Sequence, residues 1–244
     1  SVIKLCKQII ERDFGDLSFM CFARITDLTD EVMDWMSKAN FNKLNIGVES
    51  FSQAVLDEVG KRCEVDRIHV TLKALKKYGI RPFCNIILTT PKSTLDDVEV
   101  TLDGILQYMQ DDFYMAGMAP AIRPSKGTEF FEMYWDFKSH IIPIEGTELF
   151  LRKDDYIYAL DPLVREFQIR FIEGVDAAVD RYIEEQDIRH PNQATLSPMK
   201  FLYAKRLLAE IREEAANHLF LTVEVLYLLG IVAKILCVLA IGLT

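Results

Sequence analysis

Between Val2 and Pro120 the chain alternates between two hydrophobic periods. Stretches with apolar residues three and four apart predict helices; short, nearly unbroken apolar runs between them predict strands. In residues 2–12, Val2, Ile3, Cys6, Ile9 and Ile10 keep helical spacing. LSFMCFAR (17–24) predicts a strand. LTDEVMDWMSKAN (28–40) returns to helix through Leu28, Val32, Trp35, Met36 and Ala39, with Thr29 placed to cap it. KLNIGV predicts the next strand, and it runs into Glu49. A short helix near 52–59 follows, then a longer one near 65–78 built on Val65, Ile68, Leu72 and Leu75 and stopped by Gly79. RPFCNIILTT (81–90) predicts a third strand, broken by Pro91. A helix runs from Thr94 to about Met109, and FYMAGMAP (113–120) predicts a fourth strand.

Strand and helix in turn imply a parallel sheet. Near-continuous apolar strands imply burial on both faces. A (βα) barrel, part of one, or an open doubly wound sheet satisfies this pattern. Beyond about residue 125 the pattern changes. A loop-rich aromatic segment gives way to helical stretches near 161–186 and 197–217, separated by RHPNQATLSP. The fold expected is α/β: a partial (βα) barrel of parallel strands over 1–135, a mainly helical extension over 136–218, and an apolar segment over 219–244.

Composition narrows the function. The net charge is -9, from 28 basic and 37 acidic side chains. Nucleic-acid binding needs a basic face, so no nucleic-acid partner is expected. The five cysteines, Cys6, Cys21, Cys63, Cys84 and Cys237, are scattered and include no C-x-x-C pair. That spacing fits a reducing, cytoplasmic setting and not a disulfide framework. Neither G-x-G-x-x-G nor G-x-x-x-x-G-K-[ST] follows any strand, which weakens dinucleotide and nucleoside-triphosphate readings. The chain opens inside a helical pattern at Ser1 with no signal-peptide n-region, so a piece of a longer polypeptide is expected.

Candidate chemistry lies at strand ends. Side chains alternate along a strand, so Leu44, Ile46 and Val48 share one face and Asn45, Gly47 and Glu49 the other. Phe83, Asn85, Ile87 and Thr89 likewise share a face. In βα barrels the functional groups gather at the C-terminal strand ends. Glu49, Ser50, Asn85 and Arg24 all fall there. A solvated loop carboxylate or a helix-cap partner is the plain alternative for Glu49.

NIGVESFSQAVLDEVGKR resembles the fourth-strand signature of radical S-adenosylmethionine (SAM) enzymes. The similar members are the methylthiotransferase-like, coproporphyrinogen-dehydrogenase-like and cobalamin-dependent ones. FCNIILTTPKSTLDDVEVTL resembles their fifth strand and helix, FARITDLTDEVMDWMSKANF their third, and RPSKGTEFF a degenerate P-G-T motif after the sixth. The resemblance covers about residues 1–135. It implies that Glu49 contacts the SAM ribose or amino group, with Ser50 beside it. Lys61 would pair with the SAM carboxylate, Asn85 would contact the ribose, and Ile87 would pack on the adenine. Arg24 is a further candidate for the pocket. The alternatives are barrel core for Ile87, a solvated helix end for Lys61 and a surface ion pair for Arg24.

The sequence also departs from the family. The family binds a [4Fe–4S] cluster through Cys-x3-Cys-x2-Cys, and no such triplet occurs here. The cluster ligands are therefore expected upstream, and the chain alone is expected to be inactive. Thr89 stands where the fifth strand usually has glycine. For the parent protein the resemblance implies a [4Fe–4S] cluster, SAM, a small-molecule or lipid-like substrate and an electron donor such as flavodoxin or ferredoxin. It leaves open a cobalamin-binding domain upstream. Two rivals stand beside it: a binding or scaffold module that has lost the cluster, and an unrelated barrel enzyme using Glu49 as acid or base. The second rival needs a facing His or carboxylate, yet His69, His140, His190 and His218 fall on helices or in late loops. Finally, 225–243 is long enough to span a bilayer. Lys234 at mid-depth opposes this by about 2.5–3.5 kcal/mol, and a buried or interfacial helix is the alternative.

Overall fold

The computed structural model describes residues 1–134, 141–143, 145–146, 148, 150–152, 156–189, 191 and 196–218. The apolar segment 219–244 lies outside the described residues, and so do His140 and His190. None of the described helices is long and apolar enough to cross a membrane.

Four parallel strands form the main sheet: β1 (Phe19–Arg24), β2 (Phe41–Glu49), β3 (Arg81–Ile87) and β4 (Met115–Ala119). Their spatial order is β1-β2-β3-β4. Sequential order means that every crossover steps the same way, so the connecting helices collect on one face. A doubly wound sheet reverses its order midway; this one does not, and it is barrel-like.

The connecting helices begin and end where local chemistry dictates. Helix α1 spans Val2–Arg12, and α2 spans Asp30–Lys38 with the Thr29 hydroxyl accepting from the Val32 N–H. Helices α3 (Gln53–Glu58) and α4 (Val65–Lys77) join β2 to β3. Helix α5 (Leu95–Met109) starts in a reciprocal capping box between Thr94 and Asp97. Leu44, Ile46 and Val48 on β2 are buried, and so are Cys84 and Ile86 on β3. They form one core with Leu56, Leu72, Val98 and Leu102 of the helices. The opposite face is not sealed at β1. Phe22 is 81% exposed and Met20 57%, so the expectation of burial on both faces fails for this strand.

Beyond β4 come α6 (Glu129–Tyr134) and an antiparallel pair, β5 (Ile141–Pro143) with β6 (Phe150–Arg152). The extension then forms α7 (Pro162–Glu185) and a helix over 196–218, here α8. Gln168 of α7 is fully buried. Its amide donates to Thr89 Oγ1 at 2.5 Å and to the Ile157 carbonyl at 3.3 Å, and accepts from the Ala159 N–H at 2.7 Å. The extension is thus fastened to the C-terminal end of β3.

Candidate functional site

Register places the candidate residues in one row. Arg24 of β1 stands beside Gly47 of β2, Gly47 beside Asn85 of β3, and Asn85 beside Gly117 of β4. Asn85 donates to the Ile46 carbonyl across the strand gap at 3.3 Å. Ile87 lies two residues further along the same face and is half-buried.

At the end of β2 the ladder breaks. A register shift separates Gly47 from Glu49. Glu49 takes φ 66°, and the Ser50 N–H donates to the Val48 carbonyl at 2.9 Å. A bond from residue i+2 back to residue i around a positive-φ centre is a γ-turn of the rare, strained hand. The turn carries the Glu49 carboxylate back over Gly47.

Lys61 arrives by a different route. Helix α3 ends with Gly60 at φ 65°. The Gly60 N–H bonds the Asp57 carbonyl and the Lys61 N–H bonds the Leu56 carbonyl. This Schellman termination fixes the first residue after the glycine, and that residue is Lys61. Its ammonium donates to Glu49 Oε1 at 2.7 Å, with both side chains about one-fifth exposed (20% and 22%). Gly47 supplies the space: a Cβ there would fall 2.4 Å from Glu49 Oε1 and 2.7 Å from Lys61 Nζ.

The other candidates are placed differently. Ser50 is fully buried and turns away from the strand-end surface, its hydroxyl bonded to Thr101 and to the Ser52 N–H. Arg24 pairs with Asp27 at 2.8 Å at an exposed position, the surface ion pair that was its alternative. It nevertheless lines a cleft with Thr26, Gly60, Lys61, Arg62 and Cys63. Arg62, with φ 47°, adds a cation at that rim that the sequence reading did not single out. Its place directly after Lys61 was the available signal.

Cys6, Cys63 and Cys84 belong to the core. Burial pushes the Cys6, Cys63 and Cys84 thiols up from 9.0, and Cys84 to about 12. Iron ligation needs thiolates, so these side chains do not fit a cluster. Among the described residues no group of three His, Cys, Asp or Glu side chains is arranged to hold a metal ion.

A parallel, sequentially ordered βα sheet with a partly buried ion pair at the end of its second strand defines a barrel-like α/β domain. Residues 2–105 match the model of the radical SAM superfamily. An uncharacterized methyltransferase of Pyrococcus horikoshii is 25% identical over 93 residues, covering 38% of this chain and 20% of the relative. The heme chaperone HemW of Lactococcus lactis is 26% identical over 82 residues, covering 33% of this chain and 22% of the relative. The chain spans about a fifth of the length of these curated relatives. In fold it is similar to the apo form of the cobalamin-dependent S-adenosylmethionine radical enzyme OxsB. The TM-score is 0.57 at 14% identity, over 86% of this chain and 36% of that one.

Proposed function

We propose that this chain is the C-terminal part of a radical SAM enzyme and forms one wall of its SAM site. The observation that carries the reading is the Glu49–Lys61 pair held over Gly47. An anion and a cation side by side complement the α-amino and α-carboxylate groups of a zwitterion. On binding, each side chain exchanges its partner for the opposite charge on the ligand, so neither is left unneutralised. Glu49 takes the amino group and Lys61 the carboxylate. Asn85, one strand over from Gly47, takes the ribose, and Ile87 packs against the adenine. An iron–sulfur cluster, its ligands lying outside the described residues, would supply the one electron that breaks the C5′–S bond of bound SAM, releasing methionine and leaving a 5′-deoxyadenosyl group able to take a substrate hydrogen. The substrate is small or lipid-like, is contacted by residues 120–220, and the reducing electron comes from a flavodoxin- or ferredoxin-type donor. A cobalamin-dependent reaction in the parent protein is compatible with this reading.

Equilibrium dialysis of the 244-residue chain against labelled SAM tests the proposal. SAM is expected to bind and free methionine to compete with it, and Lys61→Met to weaken binding on the order of tenfold, the loss of a charge-assisted contact. A folded chain that takes up no SAM overturns it. The buried, protonated cysteines favour one second reading, a binding module whose barrel has no cluster. Anaerobic reconstitution of the longer polypeptide separates the two: 5′-deoxyadenosine forms under the first and is absent under the second.

A further inference from the structure

The strained turn at Glu49 is followed by three residues that all anchor on one helix. Ser50 Oγ and Thr101 Oγ1 share a hydrogen bond of 2.5 Å. The Phe51 ring fills a notch at Gly104, where an added Cβ would fall 2.3 Å from the Phe51 Cγ, and stacks on Tyr108 with centroids 6.1 Å apart. Ser52 Oγ donates to Asp97 Oδ1 at 2.5 Å. Asp97, Thr101, Gly104 and Tyr108 are spaced four, three and four residues apart, so they form one stripe along α5. Ser50 and Thr101 are both buried to within 1%. A non-glycine residue at φ 66° persists only where its surroundings over-determine it. Here the over-determination is this stripe.

We infer that the Asp97–Thr101–Gly104–Tyr108 stripe of α5 is the positioning element of the ligand site, holding the Glu49 carboxylate over Gly47 and against Lys61. The inference rests on the reading of Glu49 and Lys61 as the SAM-facing pair. It reassigns Ser50 from ligand contact to brace, and it adds Thr101, more than fifty positions downstream, as a residue acting through Glu49. Thr101 touches no ligand; it decides where the carboxylate stands.

Thr101→Val removes the hydroxyl at nearly constant shape, and Thr101→Ser keeps it. Thr71 of α4 supplies the control, because its hydroxyl is also buried and has no hydrogen-bond partner among the described residues. In the full chain, Thr101→Val is expected to weaken SAM binding on the order of tenfold, the effect of one lost buried hydrogen bond. Thr101→Ser is expected to restore it to within about twofold, and Thr71→Val to leave it unchanged. A Thr101→Val chain that is folded and binds SAM like the parent overturns the inference. A second readout is independent of SAM: the Lys61 ammonium resonance and its cross-relaxation to Glu49. These change in Thr101→Val and stay fixed in Thr71→Val if the stripe positions the carboxylate. If the parent chain binds no SAM, the SAM reading fails and this resonance alone decides the positioning. Identical Lys61 spectra in all three variants then overturn it.

Discussion

Gly47 shows how much of the site depends on one missing atom. Its neighbours in register, Arg24 and Asn85, carry polar side chains, while Gly47 leaves the space that the Glu49–Lys61 pair occupies. Gly47→Ala puts a methyl group against Glu49 Oε1 and Lys61 Nζ, the far ends of two flexible side chains. The pair therefore swings away and the backbone stays. The expected outcome is a loss of SAM uptake on the order of tenfold or more with a melting temperature within a few degrees of the parent, since surface adjustments of this kind stay near ±0.5 kcal/mol. A melting temperature that collapses together with binding would show instead that the glycine serves the strand. Glu49 and Asn85 were readable in the sequence because they interrupt apolar runs, and Lys61 only through the motif that the stretch 45–62 resembles. The γ-turn was not, because a glutamate carries no mark of positive φ. The direction of Ser50 was not readable for a related reason: its partner Thr101 is brought to it only by the fold.

Elements assemble around this turn through the seam between α4 and α5. His69 of α4 meets the Tyr108 hydroxyl of α5 through Nδ1 at 2.7 Å, and its ring packs against Phe51 with centroids 5.3 Å apart. Burial, assisted by Lys73 and opposed by Asp66, holds the His69 pKa below 6.5. A depressed histidine means that the unfolded chain binds more protons, so stability rises with pH across the interval between the two values. Stability is expected to be complete above pH 6.5 and to fall as pH drops below it. His69→Gln flattens that slope. Urea midpoints measured between pH 8 and pH 5 check this. Asp97 does not intrude. Burial raises its pKa, bonds from Ser52 and Thr94 outweigh burial, and the net lowering from 3.8 confines its contribution to more acid conditions. Most of these elements were legible in the sequence. Each of α1, α2, α4 and α5 carries a full apolar stripe, and α2 and α5 carry true caps at Thr29 and Thr94. Strand β3 ends three residues before the predicted stretch 81–90 does, although Leu88 stays in the core and its N–H still bonds the Ala119 carbonyl at 3.0 Å. The short helix α6 and the three-residue strands β5 and β6 gave no usable period.

The chain as a whole raises the question of whether sheet and extension are separate units. Ion pairs cross between them: Lys205 to Asp103 at 2.5 Å, Arg212 to Glu99 at 3.0 Å. Both cations are about one-third exposed (34% and 38%), so each pair contributes little and salt screens it. Gln168 is different. It is fully buried, and its amide satisfies Thr89, Ala159 and Ile157 together. Gln168→Leu leaves the Ala159 N–H without its partner and strips Thr89 of a donor, at a cost of about 3 kcal/mol, the penalty for burying unsatisfied polar groups. High salt should cost far less. If residues 1–134 and the extension fold together, the variant lowers one common transition, followed equally by Trp35 fluorescence in a Trp135→Phe background and by helical signal from α7 and α8. Two transitions, with only the second displaced, would mean that the boundary near residue 135 separates independent domains. The Thr89 hydroxyl stands where the resembled strand usually has glycine. A single transition would therefore make that threonine the point at which the extension is keyed to the strand that carries Asn85 and Ile87.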